Sequence, residues 1–173
     1  MEQVMKRIRI EKVTLNIGAG ADQAKLEKGM QLLKMITGLT PVKTFTTKRI
    51  PEWSIRPGLP IGCKLTLRKA QAMEIVPRLL SAVDNKLKAA QIDRYGNIAF
   101  GIREYIDIPN AKYDPAIGII GLQVCITLER PGYRIKKRRI MSRPLHGSHI
   151  ISKEEAIEFM KQNFNVAIME DEY

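Results

Sequence analysis

Residues 61–68 read IGCKLTLR, in which an apolar set (Ile61, Cys63, Leu65, Leu67) alternates with a polar one (Lys64, Thr66, Arg68). Side chains on a strand point to opposite faces in turn, so this spacing predicts a strand with one face in a core and the other in solvent. KVTLNI at 12–17 repeats the pattern, with Val13, Leu15 and Ile17 set against Lys12, Thr14 and Asn16. GLQVCITLE at 121–129 does so again, with Leu122, Val124, Ile126 and Leu128 inward and Gln123, Cys125, Thr127 and Glu129 outward. PVKTFTT at 41–47 is rich in Val, Thr and Phe and predicts a further strand whose phase is ambiguous.

Between these strands the period changes. From Asp22 to Thr37, Leu26, Met30, Leu33 and Ile36 recur at steps of four, three and three, which makes one apolar helical face, and Gly38 ends it. Ala70 to about Lys86 is also helical in pattern, with Pro77 as a kink or a break. Ser152-Lys153-Glu154-Glu155 is a capping box that opens a last helix, whose buried side is Ile157, Met160 and Phe164. NIAFGI and REYIDI, within 87–117, have no clear period, and Glu170–Glu172 read as a solvated tail. Strands with one polar face mixed with amphipathic helices predict an α+β two-layer sandwich, its mostly antiparallel sheet covered by helices on one face. The other face is expected to be open and to display Thr14, Asn16, Lys64, Thr66, Arg68 and Gln123. A chain of 173 residues, 45% hydrophobic, can bury one good core, so residues 1–173 are expected to form one domain.

Twenty-nine Lys and Arg against eighteen Asp and Glu leave a net charge of +11. The excess is concentrated. Lys34–Met73 holds eight bases against the single acid Glu52, and Arg130–Lys153 holds eight bases and no acid. Such patches call for a polyanionic partner, and nucleic acid is the first candidate because phosphate neutralisation releases counterions. Arg134, Lys136, Lys137, Arg138, Arg139 and Arg143 form a basic extension within about 130–150, where so many like charges are expected to order only on RNA.

Other chemistries fit poorly. No run approaches the roughly 20 apolar residues of a membrane helix, and the N-terminus has no apolar leader core, so a soluble cytoplasmic protein without a membrane partner is expected. Cys63 and Cys125 lack neighbours at metal spacing and read as sheet residues. The strand, Gly18-Ala19-Gly20 turn and helix resemble a dinucleotide fingerprint, but Gln23 stands where the third glycine belongs and Asp22 puts negative charge where phosphate would sit. His146 and His149 have no carboxylate in the preceding sixteen residues and no second ligand pair, so a structural or RNA-contact role is expected. Neither catalysis, a metal nor a cofactor is implied.

The single tryptophan, Trp53, lies in RIPEWSIRPGLPIGCKLTLRK, 49–69. A strand-connecting loop at about 48–60 is expected, stiffened by Pro51, Pro57 and Pro60. Trp53 either anchors the sheet edge or stacks on a base beside Lys48, Arg49 and Arg56.

Taken together, RIEKVTLNIGAG at 9–20, LLKMITG with the following proline at 32–41, RPGLPIGCKLTLR at 56–68, and GIREYIDIP with YDP at 101–115 resemble the universal large-subunit ribosomal protein five family. LERPGYRIKKRR followed by HGSHIISKEEAIEFM is similar to its archaeal and eukaryotic form. The resemblance covers nearly the whole chain. It implies a non-enzymatic component of the central protuberance that binds 5S ribosomal RNA through its sheet, beside large-subunit ribosomal RNA and neighbouring protuberance proteins. It implies further that the mobile loop reaches the elbow of the peptidyl-site tRNA, and that small-subunit ribosomal protein thirteen is met across a bridge. Residue by residue, the family's RNA contacts fall on Asn16, Trp53 and Thr66, with Lys12, Lys64 and Arg68 around them. Leu39 departs from the pattern, standing where many relatives carry a polar residue. A free-standing RNA- or DNA-binding regulator with an open sheet is the alternative class, against which no helix-turn-helix, RNP aromatic pattern or GXXG clamp is present.

Overall fold

The computed structural model describes residues 4–169, which leaves the acidic Glu170–Glu172 outside it. In chain order the elements are β1 (Arg9–Gly18), α1 (Gln23–Thr37), β2 (Val42–Phe45), β3 (Pro60–Arg68) and α2 (Lys69–Ser81). Then follow β4 (Lys86–Lys88), β5 (Ile98–Ile102), β6 (Leu122–Glu129), the one-turn α3 (Arg134–Lys137), α4 (Lys153–Phe164) and β7 (Ala167–Met169). Five strands form one sheet in the order β2-β3-β1-β6-β5, every neighbouring pair antiparallel. β4 and β7 make a separate parallel pair. No helix of the described residues is long and apolar enough to cross a membrane.

The alternating residues fall as their period requires. Val13, Leu15, Ile17, Cys63, Leu65, Leu67, Leu122, Val124, Ile126 and Leu128 are buried on one side of the sheet, where α1 and α2 pack. Each such Val, Leu or Ile side chain contributes roughly 1.5–3 kcal/mol relative to exposure. α1 starts because the Asp22 carboxylate accepts the N–H groups of Ala24 and Lys25 at 2.9 and 3.2 Å. It stops at Gly38, whose φ of 72° is open to glycine and whose N–H reaches Lys34 O at 2.7 Å. Gly62 is fixed by proximity instead: a Cβ there would lie 2.6 Å from the Ile17 carbonyl oxygen. α4 opens with the expected capping box, the Ser152 hydroxyl accepting from Glu155 N and the Glu155 carboxylate from Ser152 N. On that helix Met160 is buried, while Ile157 and Phe164 are partly covered.

One expectation needs correction, and one pair of alternatives is narrowed. The second helix stops at Ser81, five residues short of Lys86, because Asp84 and Asn85 both turn into the left-handed region (φ 55° and 54°) and Lys86–Lys88 leave to pair with β7. Of the two alternatives for Pro77, the break is excluded, since Pro77 lies inside the single helix Lys69–Ser81. Of the unassigned pieces, NIAFGI supplies β5, and REYIDI forms a 3-10 turn at Tyr105–Asp107. Tyr105 is fully buried there, its hydroxyl accepting from Asp114 N at 2.9 Å.

Candidate nucleic-acid interface

The ladder registers set the outward residues of three strands in rows across the sheet. Lys64, Asn16 and Gln123 make one row, Thr66, Thr14 and Cys125 the next, and Arg68, Lys12 and Thr127 a third. On the β5 side the rows end in residues with little or no side chain, Gly101 opposite Gln123 and Ala99 opposite Cys125. Lys64, Thr66, Arg68 and Gln123 are exposed, and Lys12, Thr14 and Asn16 partly so. Asn16 Nδ2 donates to Gln123 Oε1 at 3.1 Å, which fixes the plane of both amides and leaves the Gln123 amide group able to donate outward. The result is a bed of hydroxyls and amides bordered by cations, matched to the sugar and phosphate oxygens of a nucleic-acid backbone.

The open face is not uniformly basic. Pairing slips between Ile10 and Lys12, which leaves Glu11 as the extra residue of a β-bulge. Its carboxylate meets Lys137 Nζ at 2.7 Å and Arg68 Nη1 at 3.4 Å. Glu129, at the end of β6, meets Arg9 Nη2 at 2.7 Å and Lys137 Nζ at 3.3 Å. Burial works to raise the Glu11 carboxyl, but the nearby Lys137, Lys12 and Arg68 outweigh it and hold the group below the ordinary carboxylate range. Sequence reasoning missed this cluster, although a signal existed: the apolar alternation changes phase between Ile10 and Val13.

Lys137 is therefore committed to two carboxylates, and Arg68 is partly shared with one. Among the described residues no carboxylate pairs with Arg134, Lys136, Arg138, Arg139 or Arg143, all of them exposed. Behind this segment Arg130 is 5% exposed and ties three parts of the chain together. It donates to Lys6 O and Ile150 O and pairs with Glu155 at 2.7 Å. His149 is structural, its ring bonded to Pro131 O at 2.8 Å and edge-on to Tyr133. His146 instead bonds Ser148 Oγ at 2.8 Å.

The 48–60 loop folds back on itself. Ile50 and Ile55 exchange backbone hydrogen bonds at 3.0 Å each way, with a 3-10 turn at Pro51–Trp53 between them. Ile55 is the residue the loop buries, whereas Trp53 is 66% exposed. Of the two readings of Trp53, its exposure contradicts the sheet-edge anchor, and the side chain that this loop buries is Ile55. Lys48, Arg49 and Arg56 are exposed around it. Phe45, at the edge strand, is 60% exposed and is a second aromatic that the ambiguous phase of 41–47 concealed. Leu39 packs against the core.

A family model for the C-terminus of the ribosomal L5 family matches residues 60–159, and one described as "Ribosomal protein L5" matches residues 3–56. The chain belongs to the ribosomal protein L5 family. The boundary between the two matches falls in the strand-connecting loop, yet in this L5-family chain β1 pairs with both β3 and β6, so the two parts share one sheet. The large ribosomal subunit protein uL5 of Nanoarchaeum equitans is 51% identical over 170 residues, covering 98% of this chain and 100% of that one. Its counterpart in Sulfolobus acidocaldarius is 48% identical over 169 residues, 98% of this chain and 95% of the other. That of Methanosphaera stadtmanae is 46% identical over 165 residues, 95% and 98% respectively. The C-terminal motifs of this L5-family chain are expected to be of the archaeal and eukaryotic form, and these three relatives are archaeal.

Proposed function

We propose that this L5-family chain, a structural and non-catalytic constituent of the large subunit of the cytoplasmic ribosome, binds 5S ribosomal RNA on the open face of its sheet. The observation that carries the reading is the row of Lys64, Asn16 and Gln123 beside that of Thr66 and Thr14: hydrogen-bonding side chains in register, among cations, on the face away from α1 and α2. In the same reading Arg134, Lys136, Arg138, Arg139 and Arg143 hold large-subunit ribosomal RNA. Lys137 acts through its carboxylate partners and positions them. The 48–60 loop extends from the domain toward the elbow of the peptidyl-site tRNA, with Trp53 stacking on RNA and Lys48, Arg49 and Arg56 meeting phosphates. Other central-protuberance proteins and small-subunit ribosomal protein thirteen are the protein neighbours.

The test is recovery of the tagged chain from cells, with sequencing of the bound RNA and sedimentation on a sucrose gradient after a stringent salt wash. Enrichment of 5S ribosomal RNA and migration with large subunits is expected. A chain that stays at the top of the gradient with other RNAs would be a free-standing regulator instead.

A further inference from the structure

Beyond β6 the chain carries two large apolar side chains in solvent: Ile140 is 76% exposed and its neighbour Met141 69%. They do not hang on a loose strand. Arg143 N donates to Ile135 O at 3.3 Å, the Ser142 hydroxyl to Lys136 O at 3.1 Å, and Arg138 Nε to Met141 O at 2.8 Å. The loop is thereby folded back on α3 with residues 140–141 at its turn. Met141 holds a φ of 55°, a left-handed conformation uncommon for a long side chain and worth a functional question. Arg138, Arg139 and Arg143 flank the pair, and among the described residues none of them meets a carboxylate.

A partner for this tip must offer phosphates to the arginines and an apolar surface to the two side chains between them. An acidic protein surface would satisfy the charges but would also need an apolar pocket set between its carboxylates to receive Ile140 and Met141. Nucleic acid has both, since each base is an apolar plate hung on a phosphate chain, and side chains of the Ile and Met type wedge between base steps. In RNA the accessible plates are those already unstacked in loops and bulges.

We propose that Ile140 and Met141 form an apolar wedge that enters an unstacked step of ribosomal RNA while Arg139 and Arg143 hold the phosphates on either side. This rests on the ribosomal reading above and adds to it a contact independent of charge.

Salt separates the two contributions, because counterion release follows phosphate contacts and ignores neutral side chains. Full-length protein is titrated with transcribed 5S ribosomal RNA and with overlapping large-subunit ribosomal RNA fragments across a range of salt. The Ile140→Ser, Met141→Ser double variant should bind the fragment contacted by the segment about tenfold more weakly, with the slope of log affinity against log salt unchanged. Arg139→Ala with Arg143→Ala should instead make the slope shallower by roughly 1.5–2. Leucine at both 140 and 141 should restore binding, and the melting temperature of each variant should match the parent. If the serine variant bound every fragment as the parent does, the wedge would be overturned while the ribosomal reading stood. Should the parent itself bind none of these RNAs, the ribosomal reading is what fails. Binding to vesicles of equal parts phosphatidylglycerol and phosphatidylcholine that required Ile140 and Met141, with RNA affinity unaffected by their loss, would assign the tip to a membrane surface and also overturn the wedge.

Discussion

Lys137 Nζ lies 2.7 Å from the carboxylate of Glu11, so the basic segment is moored to the sheet by the residue that the β1 bulge leaves over. The Lys137 side chain is about half exposed and solvent screens the pair from that side, so its contribution to global stability is on the order of 1 kcal/mol. Its effect should be local. Glu11→Gln should leave the melting temperature within a few degrees while hydrogen exchange of amides 134–143 speeds up in the free protein. Assembly into subunits should slow exchange there for parent and variant alike. Exchange that is equally slow in free parent and free variant would show that the mooring is not what orders the segment.

On the open face, Asn16→Ala together with Thr66→Ala should weaken 5S ribosomal RNA binding well beyond twofold, since two hydrogen-bonding groups are lost from adjacent rows. Both side chains point away from the core, so stability should change little. Affinity of the parent should fall steeply with salt. Retention of affinity within twofold would move the RNA off this face.

Trp53 is exposed, so Trp53→Ala removes no core contact and should leave the melting temperature where it is. A base stacked on an aromatic is worth on the order of 1–3 kcal/mol, and loss of that contact should reduce 5S ribosomal RNA affinity about tenfold or more. A lower melting temperature with unchanged affinity per folded molecule would contradict this. Ile55→Ala is the reciprocal control, expected to loosen the loop.

Arg49 and Arg56 flank the 3-10 turn and carry no structural hydrogen bond from their side chains among the described residues. Ribosomes with both changed to Ala should assemble normally and lose tRNA from the peptidyl site faster. Unaltered tRNA retention and frame maintenance would confine the loop to 5S ribosomal RNA.

Arg130 and Glu155 set the behaviour in acid. Burial pushes the Glu155 carboxyl up, but the Ser152 N–H and the Arg130 guanidinium more than offset this and keep it below the ordinary range. Glu11 and Asp93 are lowered as well. A carboxyl lowered by folding stabilises the native state fully above its unfolded pKa of about 4.3, and that contribution disappears as pH falls through the lowered folded value. Thermal stability should therefore drop below about pH 4. Glu155→Gln should make that drop less steep, and Glu155→Ala should cost roughly 2 kcal/mol near neutrality by leaving the buried Arg130 with carbonyl partners alone. Identical acid profiles for parent and Glu155→Gln would remove the pair from the account.

The sheet was legible in the sequence because each strand carries its own period. Val13, Leu15 and Ile17, or Leu122, Val124, Ile126 and Leu128, declare an inward face without reference to any other part of the chain, and so they declare the outward one. Asn16 and Thr66 could thus be placed on the open side from local pattern alone, and the Gly38 stop and the Ser152–Glu155 box could be read in the same way, since their partners lie within four residues; the capping role of Asp22 emerged only from the structure. Lys86 could not be assigned in the same way. Its three-residue strand has no period of its own and exists because β7, some eighty residues later, lies beside it.

The charge pattern divides along the same line. Counting residues shows that Arg130–Lys153 contains no acid, and from that a uniformly repelling segment follows. Folding brings Glu11, Glu129 and Glu155 to it from outside, so Lys137 and Arg130 are neutralised within the chain, while among the described residues Arg139 and Arg143 meet no carboxylate. Likewise, Trp53 and Ile55 sit two residues apart in one loop, and composition offers no means of telling which is buried; the Ile50–Ile55 bridge turns Ile55 inward and Trp53 out. Faces and caps whose signal is a residue type at a fixed spacing could be read along the chain. Which charges remain free for a partner depends on contacts between residues far apart in the chain, which exist only once the strands have paired, and which side chain of the 48–60 loop stays exposed depends on how that loop folds back on itself.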